Sequence, residues 1–306
     1  ALPISKSNNY AKLANKTLED LEIGASGRTD AETERKENPL DFALWKAAKE
    51  GEVSWDSPWG PGRPGWHIEC SVMATEILGD TIDIHGGGAD LEFPHHTNEI
   101  AQSEAKTGKT FANYWMHNGF VNVDNEKMSK SLGNFVTVHD MLQTVDGQVL
   151  RFFLATQQYR KPINFTEKAI HDAEVNLKYL KNTHSLPLTE QVNQAELQTY
   201  LDAFQEAMDD DFNTANGVTV LFDMAKWINS GNYDQTVKDA FEKMLQVFGI
   251  VFEEEVLDED IEKLIEERQA ARANKDFATA DRIRDELAAQ GIKLLDTKEG
   301  VRWTRD

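Results

Sequence analysis

Two short stretches of the first half of the chain have the pattern of β-strands. Residues 81–84 alternate between polar and hydrophobic and run into three glycines at 86–88, and residues 114–123 resemble a second strand. Such alternation predicts β-strands, because successive side chains of a strand point to opposite faces. Residues 66–78 and 96–106 have the composition of helices and lie before and between these strands. The succession of helices and strands predicts an α/β layer.

Two details of this layer follow from the same pattern. The helix predicted at 66–78 carries an apolar side made of Ile68, Val72 and Ile77. The glycines at 86–88 predict a tight turn at the end of a strand, where an α/β sheet presents a nucleotide site. A triple glycine alone is weak evidence for such a site, since most tight turns of this kind are only structural.

From Val136 onward, apolar residues recur at helical spacing. Several amphipathic helices in succession predict a helical bundle whose apolar stripes form the core. The acidic run at 253–260 predicts a linker or a solvated helix start, followed by two short helices that end at Gly291 and a hairpin between 292–295 and 301–303. The clearest stripes are Ile170, Ala173, Leu177 and Leu180 behind a Thr166 N-cap; Ala215, Val218, Phe222 and Ala225; and Val237, Ala240, Phe241, Met244 and Phe248.

Composition limits the classes of protein to which the chain can belong. Its 306 residues, 40% hydrophobic and 28% charged, suffice for two or three domains with cores, and no apolar run approaches the length of a membrane span. The single cysteine, Cys70, excludes a disulfide within the chain and suits a reducing compartment such as the cytoplasm. The net charge of −21 counts against broad nucleic-acid binding. Residues 261–306 hold 10 Lys+Arg and 10 Asp+Glu, so this neutral tail could bind RNA through shape and base contacts.

Two lysines, Lys127 and Lys130, lie three residues apart in the run Lys127-Met-Ser-Lys-Ser131. The serines and the Gly133-Asn134 pair that follows favour a loop over a helix interior. Two lysines on one loop can reach the same polyphosphate, and phosphoryl chemistry depends on positive charge placed where negative charge builds up. The alternative interpretation of an arbitrary lysine pair is a solvated, mobile loop.

Three residues have the chemistry of zinc ligands. His95 and Glu99 lie at i and i+4, so both side chains leave one helical face, and a thiolate from Cys70 on an earlier helix could join them. Taken alone, a His-x-x-x-Glu pair is more often a helical surface pair, and His85 and His96 compete as ligands. Three ligands leave one position of a tetrahedral site for a substrate or a fourth ligand.

In combination, these motifs resemble the bacterial cysteinyl-tRNA synthetase family. The matching runs stand in the family's order and cover nearly the whole chain from about residue 38. They are Gly65-Trp-His-Ile-Glu-Cys-Ser71, His85-Gly-Gly-Gly-Ala-Asp-Leu91, Phe93-Pro-His-His-Thr-Asn-Glu-Ile-Ala101, Lys127-Met-Ser-Lys-Ser131, Met208-Asp-Asp-Asp-Phe-Asn-Thr-Ala215, Ala280-Asp-Arg-Ile-Arg-Asp-Glu-Leu287, Gly291-Ile-Lys-Leu-Leu-Asp296 and Trp303.

The resemblance implies an α/β plus all-α architecture. Residues 1–37 would be a connector at the end of an inserted domain, and residues 38–123 the second half of a class I Rossmann-like catalytic domain with a zinc site. Residues 124–163 would hold the lysine loop and a stem-contact segment, residues 164–252 a tRNA-binding helical bundle, and residues 253–306 an acidic linker with a small α+β anticodon-binding domain.

The resemblance also implies an activity and a metal. The family activates cysteine with ATP to cysteinyl-adenylate and transfers cysteine to tRNA(Cys). By resemblance, Cys70, His95 and Glu99 are three of the four ligands of one zinc ion per subunit, which binds the substrate thiolate. A plain pocket separates cysteine from serine by only about 10²-fold or less, so a metal that prefers sulfur adds discrimination. Trp66 and His85 would wall this pocket, or else pack in the core.

The nucleotide and tRNA sites follow from the same resemblance. Lys130, and with it Lys127, would contact the ATP phosphates as pyrophosphate leaves, with Mg²⁺ as the companion ion of ATP. The glycines at 86–88, with Gly86 and Gly87 foremost, and Asp90 would border the adenosine. Arg272, Phe277, Asp281 and Asp296 would face the anticodon. Phe277 would stack on an unpaired base, or alternatively pack against Ile283 and Leu287.

The chain departs from the family pattern in one respect. Family members carry, in an N-terminal half, a first zinc cysteine and a His-Ile-Gly-His signature that holds ATP, and neither occurs in this sequence. We therefore expect a monomer that needs the missing half for catalysis, does not associate with membranes and works in the cytoplasm. Two alternatives remain: a fragment that only binds tRNA, and a related ligase that joins cysteine to a sugar amine and has no need of the tail from Ile261 onward.

Overall fold

The computed structural model describes residues 10–17, 41–129, 131–190, 192–252, 259–297 and 300–305. The chain divides into two compact units, Ala1–Val251 and Phe252–Asp306, and each is described by itself. Part of the predicted connector at 1–37 and most of the acidic run at 253–260 lie outside the described residues, as does Lys130.

In the first unit, a short antiparallel hairpin leads into helix α1 (Trp66–Leu78). Strands β1 (Trp45–Ala47) and β2 (Gly62–Pro64) pair so that Trp45 lies opposite Pro64. The N–H of Gly65 donates to the carbonyl of Leu44, and helix α1 begins directly after it. The hairpin therefore fixes the start of the helix that carries Cys70.

The predicted α/β layer is present as a strand–helix–strand unit. Strand β3 (Ile82–Gly88), helix α2 (Thr97–Thr107) and strand β4 (Ala112–Asn118) follow in order, and the two strands pair in parallel. Their small core is formed by Ile82, Phe111 and Ala112, which are buried beneath Ala74, Ile100 and Trp115. This unit places the end of β3 and the start of α2 beside each other.

Two predictions about this layer are wrong. The glycines at 86–88 do not form a turn; they extend β3 to its last pair, Gly88 with Asn118, because glycine adopts extended backbone freely and β4 supplies ladder partners. The buried residues of α1 are Ser71 and Thr75 rather than the apolar side, since the Ser71 hydroxyl donates to Gln102 Oε1 over 2.8 Å. Val72 and Ile77 are 44% and 78% exposed.

The second predicted strand, at 114–123, is divided in two at Gly119. After β4, strand β5 (Val121–Val123) pairs with the short strand β6 (Glu126–Lys127) on one side and, in parallel, with β7 (Ile163–Phe165) on the other. The break arises where the Gly119 N–H donates to the carbonyl of Tyr159 over 2.7 Å. This small sheet carries the first lysine of the loop that follows it.

Replacing Gly119 with alanine is expected to lower the free energy of unfolding by about 1–3 kcal/mol, because of overpacking. A Cβ there would lie 2.4 Å from the carbonyl carbon and oxygen of Lys161, and backbone atoms cannot move aside as a side chain can. Gly147→Ala is the control, since its Cβ would meet only Leu142 Cδ2 at 3.5 Å on a helix. Urea unfolding should show Gly147→Ala as unchanged or up to about 1 kcal/mol more stable; an equal effect of both changes would contradict the argument.

The rest of the first unit is a helical bundle, as predicted. The Thr166 N-cap is confirmed, because its side chain accepts a hydrogen bond from the N–H of Ala169. The α8 stripe is buried as predicted, whereas the α7 core includes Gly217 and Leu221, and Ala215 is exposed. The helices are α3 (Val138–Met141), α4 (Gly147–Ala155), α5 (Glu167–His184), α6 (Gln194–Asp209), α7 (Thr214–Asn229) and α8 (Gln235–Val247).

The second unit pairs two helices with a hairpin, and both were predicted. Helices α9 (Glu259–Ala273) and α10 (Phe277–Ala289) precede strands β8 (Ile292–Thr297) and β9 (Gly300–Arg305), which pair in antiparallel fashion. The buried residues of its core are Ile261, Ile265, Ile283, Leu287 and Ile292. Among the described residues of the whole chain, no helix combines the length and apolarity needed to cross a membrane.

Candidate functional site

Three residues with ligand chemistry meet where α1 approaches the start of α2. Cys70 lies in the middle of α1, His95 lies in an irregular turn (Glu92–His96), and Glu99 lies in the first turn of α2. One potential ligand atom from each residue lies within 4.8 Å of those of the other two. The structure therefore brings together the three residues predicted as a metal site.

The carboxylate of Glu99 is fully buried, and its oxygens have no hydrogen-bond partner among the residues that the structure describes. Oε1 lies 2.5 Å from Nε2 of His95, and Oε2 lies 2.9 Å from Nε2 of His85. Neither contact has the direction of a hydrogen bond, so both oxygens are buried and unsatisfied. An unsatisfied buried carboxylate is costly, and such groups are normally paired or coordinate a metal. A zinc ion fits this donor set of sulfur, nitrogen and oxygen.

The electrostatics of the cluster favour an anionic Glu99 and a protonated Cys70 thiol. Burial would raise the pKa of Glu99, but its polar contacts with His85 and His95 outweigh burial and lower the pKa to about 2. Burial, reinforced by the charges of Glu99 and Glu69, raises the pKa of the Cys70 thiol. A cation in the cluster would reverse this effect, since a metal ion favours a coordinated thiolate.

A second trio shares Glu99 with the first. Ligand atoms of His85, His96 and Glu99 also lie within 4.8 Å of one another. Burial, assisted by the nearby His85, lowers the pKa of His96 to about 4, so this imidazole is neutral at pH 7. The first trio includes a sulfur donor and the second does not, and zinc favours sulfur. On donor chemistry, the trio of Cys70, His95 and Glu99 therefore suits zinc better than the second trio.

The two residues predicted to wall the pocket differ in burial. The ring centroid of Trp66 lies 4.2 Å from that of His95, yet the side chain is 52% exposed, so Trp66 is not a core residue. His85 is largely buried and packs 4.8 Å from the ring of Trp115, with Nε2 directed to Glu99. Both rings lie beside the trio.

The glycine segment serves close packing near this site. A Cβ on Gly87 would lie 2.9 Å from both His96 Cε1 and Leu91 Cδ1, and one on Gly88 would lie 2.6 Å from Asp90 Oδ1. Gly86 has only ordinary neighbours, at 3.4 Å or more. Asp90 is exposed at the end of β3, within a short 3₁₀ turn.

The lysine loop has the irregular backbone that its sequence predicts. The side chain of Asn134 accepts a hydrogen bond from the N–H of Ser129 over 2.9 Å and donates to the carbonyl of Lys127 over 3.3 Å. The ammonium of Lys127 lies 3.8 Å from the ring centroid of Phe120, within cation–π distance. Lys130, the second predicted phosphate ligand, lies outside the described residues.

The four tail residues do not form one cluster. Asp296 accepts hydrogen bonds from both terminal nitrogens of Arg268, at 2.9 and 3.1 Å, and forms an ion pair with Arg272. Asp281 forms a surface ion pair with Arg284 instead. Phe277 is 61% exposed, so the alternative in which it packs with Ile283 and Leu287 is wrong.

Sequence reasoning missed three residues of these sites. Arg268 is 6% exposed, although a charged stretch on a helix usually marks a solvated face. His67 and His117 contact His95 and His96 through ring nitrogens. The spacing of His67, three residues before Cys70 on the same helix, was a usable signal; nothing in the sequence marked His117 or Arg268.

Family models match the chain along most of its length. The tRNA synthetases class I (C) catalytic domain matches residues 1–175, the DALR domain residues 203–253, and the cysteinyl-tRNA ligase anticodon binding domain residues 254–303. Matches of this extent cover the catalytic, helical and tail segments in one family's order. The third match counts further against the sugar-amine ligase, which would not need the tail.

Individual known proteins are also similar to this chain along nearly its whole length. A cysteine–tRNA ligase of Streptococcus thermophilus strain CNRZ 1066 is 95% identical over 99% of this chain and 68% of the relative. One from Streptococcus agalactiae strain NEM316 is 82% identical over the same shares. Among solved structures, a LeuRS from Agrobacterium radiobacter matches with a TM-score of 0.43 and 14% identity over 65% of this chain and 34% of that one, too low to carry an argument. The chain belongs to the cysteinyl-tRNA synthetase family and spans about two thirds of its relatives' length.

Proposed function

We propose that Cys70, His95 and Glu99 hold a zinc ion that selects cysteine in this cysteine–tRNA ligase. The enzyme family uses ATP to join cysteine to tRNA. The observation that carries the assignment is the buried Glu99 carboxylate, whose two oxygens lie among ligand atoms and find no hydrogen-bond partner in the described part of the chain.

The proposed ligand set suits the selection of a thiol. Bound there, a zinc ion would favour a thiolate sulfur as an additional ligand, and serine offers no sulfur. Cys70 supplies a soft donor from α1, while His95 and Glu99 supply nitrogen and oxygen from the other side. These residues orient the binding position, and the neighbouring rings of Trp66 and His85 limit its size.

The ATP site is proposed to lie between the end of β3 and the lysine loop. Asp90 is exposed beside Gly88 and could accept hydrogen bonds from ribose hydroxyls, with Gly86 and Gly87 in the adjoining strand. Lys127 rests on Phe120, from which it can swing toward phosphate, and Lys130 is the second proposed ligand. Mg²⁺ would accompany the phosphates.

The tail is proposed to read the anticodon of tRNA(Cys). Arg268 and Arg272 both bind Asp296, which orients the Arg272 guanidinium at a partly exposed position. The exposed Phe277 ring at the start of α10 suits stacking on an unpaired base. Asp281, also exposed, could accept from a base amino group.

Replacing Phe277 with alanine is expected to weaken tRNA(Cys) binding by about 1–3 kcal/mol, the usual value of one base–aromatic stack. The ring is 61% exposed, so its loss leaves the core of the second unit intact. Leu295→Ala is the control, because this side chain is also apolar and 58% exposed in the same unit. Filter binding or fluorescence titration should show a weaker Phe277→Ala and an unchanged Leu295→Ala; unchanged affinity in both variants would eliminate the stacking role.

A pyrophosphate-exchange assay tests the proposed function as a whole. The chain is mixed with the remaining segment of the Streptococcus thermophilus relative, and cysteine-dependent exchange between ATP and pyrophosphate is followed. We expect exchange with cysteine but not with serine, and its loss in Cys70→Ser. Equal exchange with the two amino acids would contradict a sulfur-selective site.

A further inference from the structure

The imidazole rings of His67 and His95 are in contact beside the proposed metal cluster. Nδ1 of His67 and Nδ1 of His95 lie 2.7 Å apart, a hydrogen-bond distance that requires one nitrogen to carry a proton and the other to accept it. The opposite nitrogen of His95, Nε2, lies 2.5 Å from Glu99 Oε1. The ring of His95 therefore spans from the cluster on one side to His67 on the other.

The direction of this hydrogen bond follows from metal binding. A nitrogen that coordinates a metal carries no proton, so a neutral His95 that coordinates through Nε2 carries its proton on Nδ1. That proton can only be donated toward Nδ1 of His67, which must then be the unprotonated nitrogen of its own ring. One arrangement of protons satisfies both rings.

His67 is held in place by other contacts. The buried ring of Phe42 meets it edge-on, with centroids 5.8 Å apart and planes at 86°. Helix α1 carries His67 and Cys70 three residues apart, so both project from neighbouring positions on one face. A single helix thus supplies a sulfur for the cluster and an acceptor for its histidine.

We propose that His67 is a positioning residue of the zinc site, which accepts the Nδ1 proton of His95 and thereby directs Nε2 of His95 to the metal. The inference rests on the proposed ligand set and deepens it. Residues that orient a coordinating histidine commonly contribute about 10–100-fold to metal affinity.

The second trio supplies a matched control. Nδ1 of His96 lies 2.8 Å from Nε2 of His117, so His96 also has an imidazole partner, but it belongs to the trio with His85. If the metal is held by Cys70, His95 and Glu99, a change at His67 affects it and the same change at His117 does not. If the metal is held by His85, His96 and Glu99, a change at His117 weakens metal binding and the same change at His67 does not.

The test is zinc affinity, measured on the whole chain by competition with a chromophoric chelator at fixed pH. We expect His67→Phe to weaken zinc binding about 10–100-fold and His67→Asn, whose amide oxygen lies near the former Nδ1, to stay within a few-fold of wild type. His117→Phe should leave affinity unchanged. Circular dichroism reports folding, and His67→Ala carries the same expectation if the phenylalanine variant does not fold.

Several outcomes would overturn the proposal. An unchanged affinity in folded His67→Phe would remove the role of His67 while leaving the three ligands in place. A loss in His117→Phe alone would assign the metal to the second trio. A wild-type chain that takes up no zinc, either alone or mixed with the remaining segment of the Streptococcus thermophilus relative, would overturn the ligand set together with this inference. Nitrogen NMR of the zinc-loaded chain gives an independent readout, because the remaining proton of His95 should be found on Nδ1; a proton on Nε2 would refute the arrangement.

Discussion

Glu99→Gln is expected to weaken zinc binding by more than the 10–100-fold that is typical of an outer contact, because it removes a proposed ligand with its charge. The change keeps the size of the side chain and replaces one carboxylate oxygen by an NH₂ group, which cannot coordinate. The carboxylate is the proposed anionic oxygen donor of the cluster, and its contacts with His85 and His95 favour the charged form and hold its pKa well below the usual range.

Zinc competition with a chelator, followed by metal analysis after gel filtration, measures this effect. Glu76→Gln is the control, since Glu76 lies on α1 with a 66% exposed side chain that contacts Lys106 at the surface. We expect zinc to be retained in Glu76→Gln and lost in Glu99→Gln. A Glu99→Gln chain that binds zinc as tightly as wild type would show that the buried carboxylate does not coordinate.

Ile283→Ala is expected to destabilise the second unit by about 2–5 kcal/mol, the usual cost of such a truncation in a core. Ile283 is 0% exposed and packs in the core cluster with Ile261, Ile265, Leu287 and Ile292. Small domains have only a few kcal/mol of stability, so this loss is enough to unfold the tail at 37 °C. Binding of tRNA should fall with it, while zinc uptake by the first unit should persist.

Limited proteolysis and tRNA titration distinguish the two units. We expect rapid cleavage within residues 259–305 in Ile283→Ala and the wild-type pattern in Ile77→Ala, which makes the same substitution at a 78% exposed position. Loss of zinc together with loss of tRNA binding in Ile283→Ala would contradict the independence of the zinc site from the tail.

The spacing of apolar residues predicted those helices and strands that bury only one face. The α8 stripe and the tail hairpin follow directly from spacing, because a helix or strand that packs on one face must repeat its apolar residues at that period. Helix α1 does not follow this pattern. Its buried residues are Ser71 and Thr75, because the hydroxyl of Ser71 donates a hydrogen bond to Gln102. A polar contact of this kind leaves no repeat of apolar residues in the sequence.

Among the site residues, too, some could be predicted from the sequence and others could not. Cys70, His95 and Glu99 are residue types that commonly bind metal ions, so the sequence pointed to them even though their proximity depends on the fold. The histidines His67 and His117 act through a neighbour in space, and only a structure shows which ring nitrogen faces which. The glycines at 86–88 were wrongly predicted as a turn, because glycine permits both a turn and a strand and the choice depends on pairing with β4.

The zinc content of the dialysed chain, compared with that of Cys70→Ser, tests the central claim most directly. The account predicts one zinc per wild-type chain and none in the variant, because the sulfur of Cys70 distinguishes the proposed site from the trio of His85, His96 and Glu99. A folded wild-type chain that holds no zinc even when mixed with the remaining segment of the Streptococcus thermophilus relative, or a Cys70→Ser chain that keeps its zinc, would contradict it.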